Sequence, residues 1–342
     1  LEDLHAEQKE FPHCIADGIF VLNEDVKPGD DMAKVIGADD HVVEFEITPN
    51  RPDCLSVIGL AREVALAYNL PMTIPDRPLV LSHVDAPHPA IEISDPELCY
   101  GYFGRVITGI KVAKSPSALR YRLTACGIRP ISNVVDVTNY ILMECGQPLH
   151  SFDLARIRGG RVIVAPAKEG EHFTTLDGKE RVLKADDLTI RDNDGVVALA
   201  GVMGGLDSEI TEASAGVFLE SAVFRPATIR RTSRRLGLSS EASFRFERGI
   251  DQGRSRLSLD RACAMIQQLA GGEVSDRLCE NEPRPFVPVQ VEFRPARCAA
   301  LLGVDPGSDF ERHVLTGLGC EVKGDGATWT VPQPSWRPDL TR

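Results

Sequence analysis

The sequence predicts a multidomain α+β protein, with a central mixed α/β module flanked by smaller α+β pieces. Three observations predict it. At 342 residues the chain is long enough for two or three domains and a substantial core. Short strand-like runs, joined by turns at Asp177-Gly178 and Asn193-Asp194-Gly195, lie between segments of helical period. Proline-rich stretches at Pro71–Pro89 and Glu280–Pro288 read as linkers. The expected division is 1–35, 36–85, 86–284 and 285–342.

Residues 1–35 read as the tail of a preceding domain, with a strand at Ile15–Leu22 and a turn at Lys27–Met32. His41–Ile47 alternates as a strand, and Thr48–Pro52 breaks it. Asp53 then stands as the N-cap of a helix through Asn69, with apolar faces from Leu55, Ile58, Leu60 and Val64. The linker from Pro71 holds one short strand. The central module opens with strands at Ala90–Ser94 and Gly101–Val112. A helix from Pro116 to Cys126 has Ser115 as N-cap, and the next runs from a Ser132 cap through Glu144 to a stop at Gly146. Arg161–Ala165, Arg181–Leu183, Leu188–Arg191 and Val196–Ala200 are short strands, and Val217–Phe224 is a longer one. A helix begins near Pro226. Leu259, Ala262, Cys263, Ile266 and Leu269 form a helical stripe that Gly271-Gly272 ends. The last unit has a strand at Val289–Phe293, helices near Pro295–Leu302 and Ser308–Leu318, and a hairpin around Gly324–Gly326.

Composition narrows the function classes. With 43% apolar and 26% charged residues the chain has an ordinary globular make-up. No apolar run approaches the ~18–20 residues that span a bilayer, so no membrane partner is expected. The acidic start LEDLHAEQKEFPHC lacks the apolar core of a signal peptide. A beginning at Leu1 and an end at Arg342 suit an excised piece of a longer protein. Nine scattered cysteines, none in a CxxC, point to reduced thiols in a cytoplasmic setting, not to disulfides or structural zinc. The formal charge of −12 argues against general nucleic-acid binding. Yet Arg225–Arg261 holds ten arginines against four acids, which either steer a polyanion to one face or pair with acids on solvated helices. Nucleotide-binding loops and the HExxH and GxSxG motifs are absent from the sequence. Asp192-x-Asp194-Gly195 reads as a turn without a calcium loop's remaining ligands, and His83 and His88 as surface histidines, so no metal site is expected.

Four segments carry chemistry. Val134–Asp153 puts Asp136, Thr138 and Asn139 on an apolar helix, turns at Gly146-Gln147-Pro148 and delivers His150. Ala198–Gly205 places glycines after a strand, where backbone N–H groups approach a ligand closely. Glu220 sits inside the apolar strand Val217–Phe224. Ser239–Asp251 combines the small Ser240 and Ala242 with Phe244, Phe246 and Arg248.

Through EITPNRPDCLSVIGLARE, IRPISNVVDVTNYILMECGQPLHSFD, LAGVMGG, FLES, SSEASFRFERGID and WRPDL, the chain resembles the β subunits of bacterial phenylalanyl-tRNA synthetases over nearly its whole length. The resemblance implies the end of an OB-like tRNA-binding domain, part of B1, a B3/B4 editing domain and most of a B5 domain, the flanking pieces being winged-helix-like. It implies hydrolysis of tyrosine misattached to tRNA(Phe), with no aminoacylation by this piece. It places Thr138, Asn139 and His150 at the ester and ribose, Gly204 on the pocket wall and Glu220 at the tyrosine hydroxyl. Ser240 and Ala242 form the floor, with Phe246 beside them, and Ser240 stands where relatives often carry Thr. Arg230, Arg231 and Arg248 become candidates for tRNA contacts. Partners implied are tRNA(Phe) and the α subunit of an α2β2 assembly. ATP and Mg2+ belong to the full synthetase, and editing by this piece needs no cofactor.

The residue chemistry agrees with that assignment. A site that hydrogen-bonds a hydroxyl can separate Tyr from Phe, because Phe leaves its buried polar groups unpaired. Glu220 suits this task, or else pairs with an arginine at a strand edge. With no strong nucleophile or metal in view, the expected chemistry is attack by a positioned water. His150 is then either a general base titrating near neutrality or a structural histidine. The rival reading is a non-catalytic piece that docks tRNA.

Overall fold

The computed structural model describes residues 26–36 and 39–341. The strand expected at Ile15–Leu22 lies outside the described residues. A four-residue helix α1 (Met32–Val35) follows the turn at Pro28-Gly29. His41–Ile47 forms no strand: Val42, Val43 and Phe45 are exposed, and no neighbouring strand pairs with this segment among the described residues. The helix after it, α2 (Val57–Ala67), is capped by Ser56, whose hydroxyl accepts from the Gly59 N–H at 3.0 Å. Asp53, expected to be the cap, lies instead in a 3-10 turn and binds Arg51. Hydroxyl and carboxylate both cap well, and the guanidinium two residues away takes the carboxylate.

The next elements are β1 (Leu81–Ser82), β2 (Ala90–Ile93), β3 (Cys99–Thr108), α3 (Ser117–Ala125), α4 (Val135–Cys145), β4 (Leu149–Asp153) and β5 (Arg161–Pro166). Then come β6 (His172–Thr174), β7 (Glu180–Val182), β8 (Leu188–Arg191), β9 (Val196–Leu199), β10 (Met203–Gly204) and β11 (Gly216–Phe224). Helices α5 (Pro226–Leu236), α6 (Glu241–Phe246) and α7 (Ser255–Ala270) lead to β12 (Glu273–Asn281). The last unit is β13 (Gln290–Phe293), α8 (Pro295–Leu302), α9 (Ser308–Gly317) and β14 (Trp329–Pro332). Ser115 does not cap α3: its hydroxyl donates to Asp136, and Pro116 takes the cap position.

Two five-stranded sheets form the central module, one in the order β1-β12-β3-β11-β4 and the other β10-β9-β8-β5-β2. Alternation along β11 explains the layering. Val217, Leu219 and Val223 point into a core shared with Leu123 of α3, Val137 and Ile141 of α4, and Leu259, Cys263 and Ile266 of α7. Phe218, Ala222 and Phe224 point the other way, into a core shared with Val164, Ile190 and Leu199 of the second sheet. The module is thus three layers, helices on sheet on sheet. Strand β12 was hidden in the sequence because a register shift between Val274 and Leu278 spoils its alternation. In the last unit, β13 and β14 pair around Trp329, which stacks on Phe293 with ring centroids 5.3 Å apart.

Candidate functional site

The site is built on the face of β11 that looks toward the second sheet. Glu220 lies in register with Gly104 of β3 on one side and His150 of β4 on the other. Directly paired residues of antiparallel strands present their side chains on one face, so the carboxyl and the imidazole are neighbours. Gly104 leaves the third position bare, and the Phe218 ring fills the space where a Cβ would stand.

Glu220 is 5% exposed and has no arginine partner among the described residues. Its Oε2 accepts from the Tyr102 hydroxyl at 2.7 Å. Loss of water pushes the carboxyl up from 4.5 to about 8, with the Tyr102 hydrogen bond pulling the other way. At neutral pH the group is therefore mostly a neutral carboxylic acid, which both donates and accepts. Tyr102 is wholly buried, and its phenol is held far above its ordinary range by burial and the adjacent Glu220. Sequence reasoning missed Tyr102. Its signal was the aromatic two positions before Gly104 on an apolar strand, but only the strand register reveals its partner.

The His150 ring packs edge-on against Phe152 at 4.5 Å between centroids, and its Nε2 is buried without a hydrogen-bond partner among the described residues. Burial lowers its pKa from 6.5 to about 4. Burial thus favours the neutral imidazole, with a pKa below the ordinary value near neutrality. Gly204, in β10, lies flush against this ring. A Cβ there would stand 2.6 Å from His150 Cε1 and 2.8 Å from Nε2, with Leu176 Cδ1 at 3.1 Å. Gly205, beside it, borders a cleft of about 500 Å³ whose lining includes Arg156, Arg158, His172 and Phe173.

The turn that delivers His150 is fixed by its own chemistry. Gly146 ends α4 in the left-handed conformation, φ 75°. Buried Gln147 donates to the Ala222 carbonyl at 3.2 Å and accepts from Ser255, tying the head of β4 to β11 and α7. The polar groups of α4 divide. Asp136, 1% exposed, accepts from Ser115 at 2.6 Å and from the Ile131 N–H at 2.7 Å, so it latches a loop and does not face the site. Thr138 donates within its helix to Val135 at 2.7 Å. Asn139 is half-buried on the same helix, which packs along β4. No hydrogen bond links Thr138 or Asn139 to His150 or Glu220.

Ser240 is the N-cap of α6 in a reciprocal capping box with Ser243, and its hydroxyl donates to the Val202 carbonyl at 2.8 Å. That hydroxyl is occupied in joining α6 to the glycine-rich turn. Ala242, half-buried in the first turn of α6, packs against the core between the sheets. Phe246 is 3% exposed and packs on Phe224 with centroids 5.1 Å apart, where Gly201 leaves room for its ring.

The arginine-rich stretch is not one face. Arg230 and Arg231 are exposed on α5, where Arg231 pairs with Asp186 at 3.4 Å. Arg248 folds back onto its own segment. It donates to the Phe244 carbonyl and to Glu247, and lies 3.5 Å over the Phe244 ring. Arg245 is buried, binding the Leu55 carbonyl and Glu241, and so fastens α6 to the segment before α2. Most of the charge that seemed concentrated in sequence is thus spent on structural pairs.

Among the described residues one carboxylate-thiol group, Asp53, Cys54 and Glu63, has ligand-like spacing. The Arg51 guanidinium already binds both carboxylates, so the group does not fit a cation. No helix of the described residues is long and apolar enough to cross a membrane.

Residues 98–271 match the family described as B3/4 domain, and residues 291–342 match the tRNA synthetase B5 domain. The chain is 55% identical over 329 residues to the phenylalanine–tRNA ligase β subunit of Oleidesulfovibrio alaskensis, covering 96% of this chain and 41% of the relative. The corresponding subunit of Nitratidesulfovibrio vulgaris is 53% identical over 328 residues, 95% of this chain and again 41% of the relative. The chain thus spans about two-fifths of the length of these relatives. A crystal structure of an N-terminal fragment of the phenylalanyl-tRNA synthetase β subunit from Pyrococcus horikoshii covers 89% of this chain and 86% of its own, at 15% identity and a TM-score of 0.42.

Proposed function

The chain belongs to the phenylalanine–tRNA ligase β-subunit family, and from that premise we propose that its central module hydrolyses tyrosine wrongly esterified to tRNA(Phe). The observation that carries this reading is Glu220: a carboxyl sunk in an apolar strand, facing His150, with no cation among the described residues to neutralise it. A buried carboxyl that is neutral at pH 7 donates to or accepts from a phenolic hydroxyl without the cost of desolvating an anion. Phenylalanine offers no hydroxyl and leaves that group unpaired, which is the basis for sparing the correctly charged tRNA.

In this reading His150, Asn139 and Thr138 act at the ester end. The unpartnered Nε2 of His150 holds a water or a ribose hydroxyl by hydrogen bonding. With a pKa of about 4 it orients and does not serve as a strong base. Gly204, lacking a side chain, lets β10 lie against the ring, and Ala242 and Ser240 form the floor in this reading. Exposed Arg230 and Arg231 are the tRNA-contacting candidates; Arg248, turned inward, is a weaker one. The whole synthetase would add the α subunit in an α2β2 assembly, ATP and Mg2+, in the cytoplasm. Asp53, Cys54 and Glu63, the one described group with ligand-like spacing, are already bound by Arg51 and do not fit the metal.

The test is release of tyrosine from tyrosyl-tRNA(Phe) by this chain beside Glu220→Ala and Ala242→Trp. Release by the parent, at least 10-fold reduced in both variants, is expected. Equal, slow release by all three would leave only the tRNA-docking reading.

A further inference from the structure

The carboxyl of Glu220 has two oxygens, and the structure accounts for one of them. Tyr102 sits diagonally from Glu220 on the same sheet face, since its own partner on β11 is Ala222. Its ring is wholly buried in the core between the sheets, and its hydroxyl donates to Oε2 at 2.7 Å. A buried phenol needs a hydrogen-bond partner, and Glu220 is the one it has. A carboxyl turns about its last bond with two-fold preference, so without a fixed donor either oxygen could face a ligand. The neighbours do not fix it otherwise: Gly104 has no side chain, the flanking Phe218 and Ala222 are apolar, and His150 across on β4 has its Nε2 unpartnered among the described residues.

Resting on the editing reading above, we propose that Tyr102 is a positioning residue for specificity: its hydroxyl holds Oε2 of Glu220 and thereby presents Oε1 to the substrate's phenolic hydroxyl. One consequence follows from the geometry. A proton on the neutral carboxyl resides on Oε1, because Oε2 is already accepting, so the ligand-facing oxygen is the one that donates. The other titratable groups at this carboxyl are His150 across on β4 and Cys99 on β3, and Cys99 is held protonated by burial and by Glu220 itself. The facing sheet contributes apolar side chains to this layer. Tyr102 is therefore the group that sets both the orientation and the proton's place.

The experiment uses the full chain with Tyr102→Phe, which keeps the ring in the core and removes one oxygen. Release of tyrosine from tyrosyl-tRNA(Phe) is compared with release of phenylalanine from phenylalanyl-tRNA(Phe). The ratio is expected to fall about 10-fold, with phenylalanine release unchanged. In a Glu220→Ala background the same substitution is expected to add nothing, since it acts through that carboxyl. An equal loss for both substrates, or a full additional loss without Glu220, overturns the proposal. An unchanged Tyr102→Phe beside an impaired Glu220→Ala overturns it while leaving the editing reading intact. Carbon-13 titration of the Glu220 carboxyl gives a readout independent of turnover. The midpoint is expected to rise in Tyr102→Phe because a donor to the charged form is lost; an unmoved midpoint refutes the contact.

Discussion

Replacing Glu220 by glutamine keeps the size and hydrogen-bonding capacity of the protonated carboxyl and removes its proton equilibrium. In the folded chain the carboxyl titrates at about 8, in the unfolded chain at 4.5. Between those values the folded state binds the extra proton, so stability falls as pH rises through that window. The slope is roughly 1.4 kcal/mol per pH unit, giving about 3 kcal/mol at pH 7 and roughly 5 kcal/mol across the whole interval. His150, lowered from 6.5 to about 4, contributes the opposite slope below pH 6.5. It is present in both proteins and cancels in their difference. The assay is urea unfolding of parent and Glu220→Gln at pH 5, 6, 7 and 8. Near pH 5 the two should be alike. By pH 8 the variant should be more stable than the parent by several kcal/mol. A difference that stays constant over this range would mean an ordinary, hydrated carboxyl, and the account of a neutral acid recognising a hydroxyl would fall.

Two further outcomes follow from the same geometry. Gly204→Ala puts a methyl 2.6 Å from the imidazole and should displace it, costing about 1–3 kcal/mol of stability and most of the tyrosine release; unfolding curves and deacylation measured together check this. Phe246→Ala empties a core position against Phe224 and should cost about 3–5 kcal/mol, read from urea unfolding, where a pocket-lining ring would cost little.

The legible part of the site was the part written locally. Glu220 was conspicuous because a carboxylate inside Val217–Phe224 breaks an apolar pattern, and its buried position on β11 follows from that pattern. Gly146 was legible as a helix stop because its left-handed φ suits glycine. The paired turns at Asp177-Gly178 and Asn193-Gly195 do join β6 to β7 and β8 to β9. His41–Ile47 misled because alternation is necessary for a half-buried strand but a ladder also needs a partner. Asp136, Ser240 and Phe246 show another limit, since the structure gives each a cap, latch or core contact of its own. Polar and aromatic residues near a site serve caps, latches and cores as readily as ligands, and sequence does not tell these uses apart.

The sequence by itself determined the family, the α+β class, the identity of the long strand and the carboxylate at its centre. These depend on motifs, on period and on neighbours within a few residues. Only the tertiary structure decided that Glu220 meets Tyr102, 118 residues away, and not an arginine. It also decided that Gly204 abuts His150 and that the imidazole is neutral. Those facts depend on strand register and on the exclusion of water, and both arise only when distant segments pack into one core.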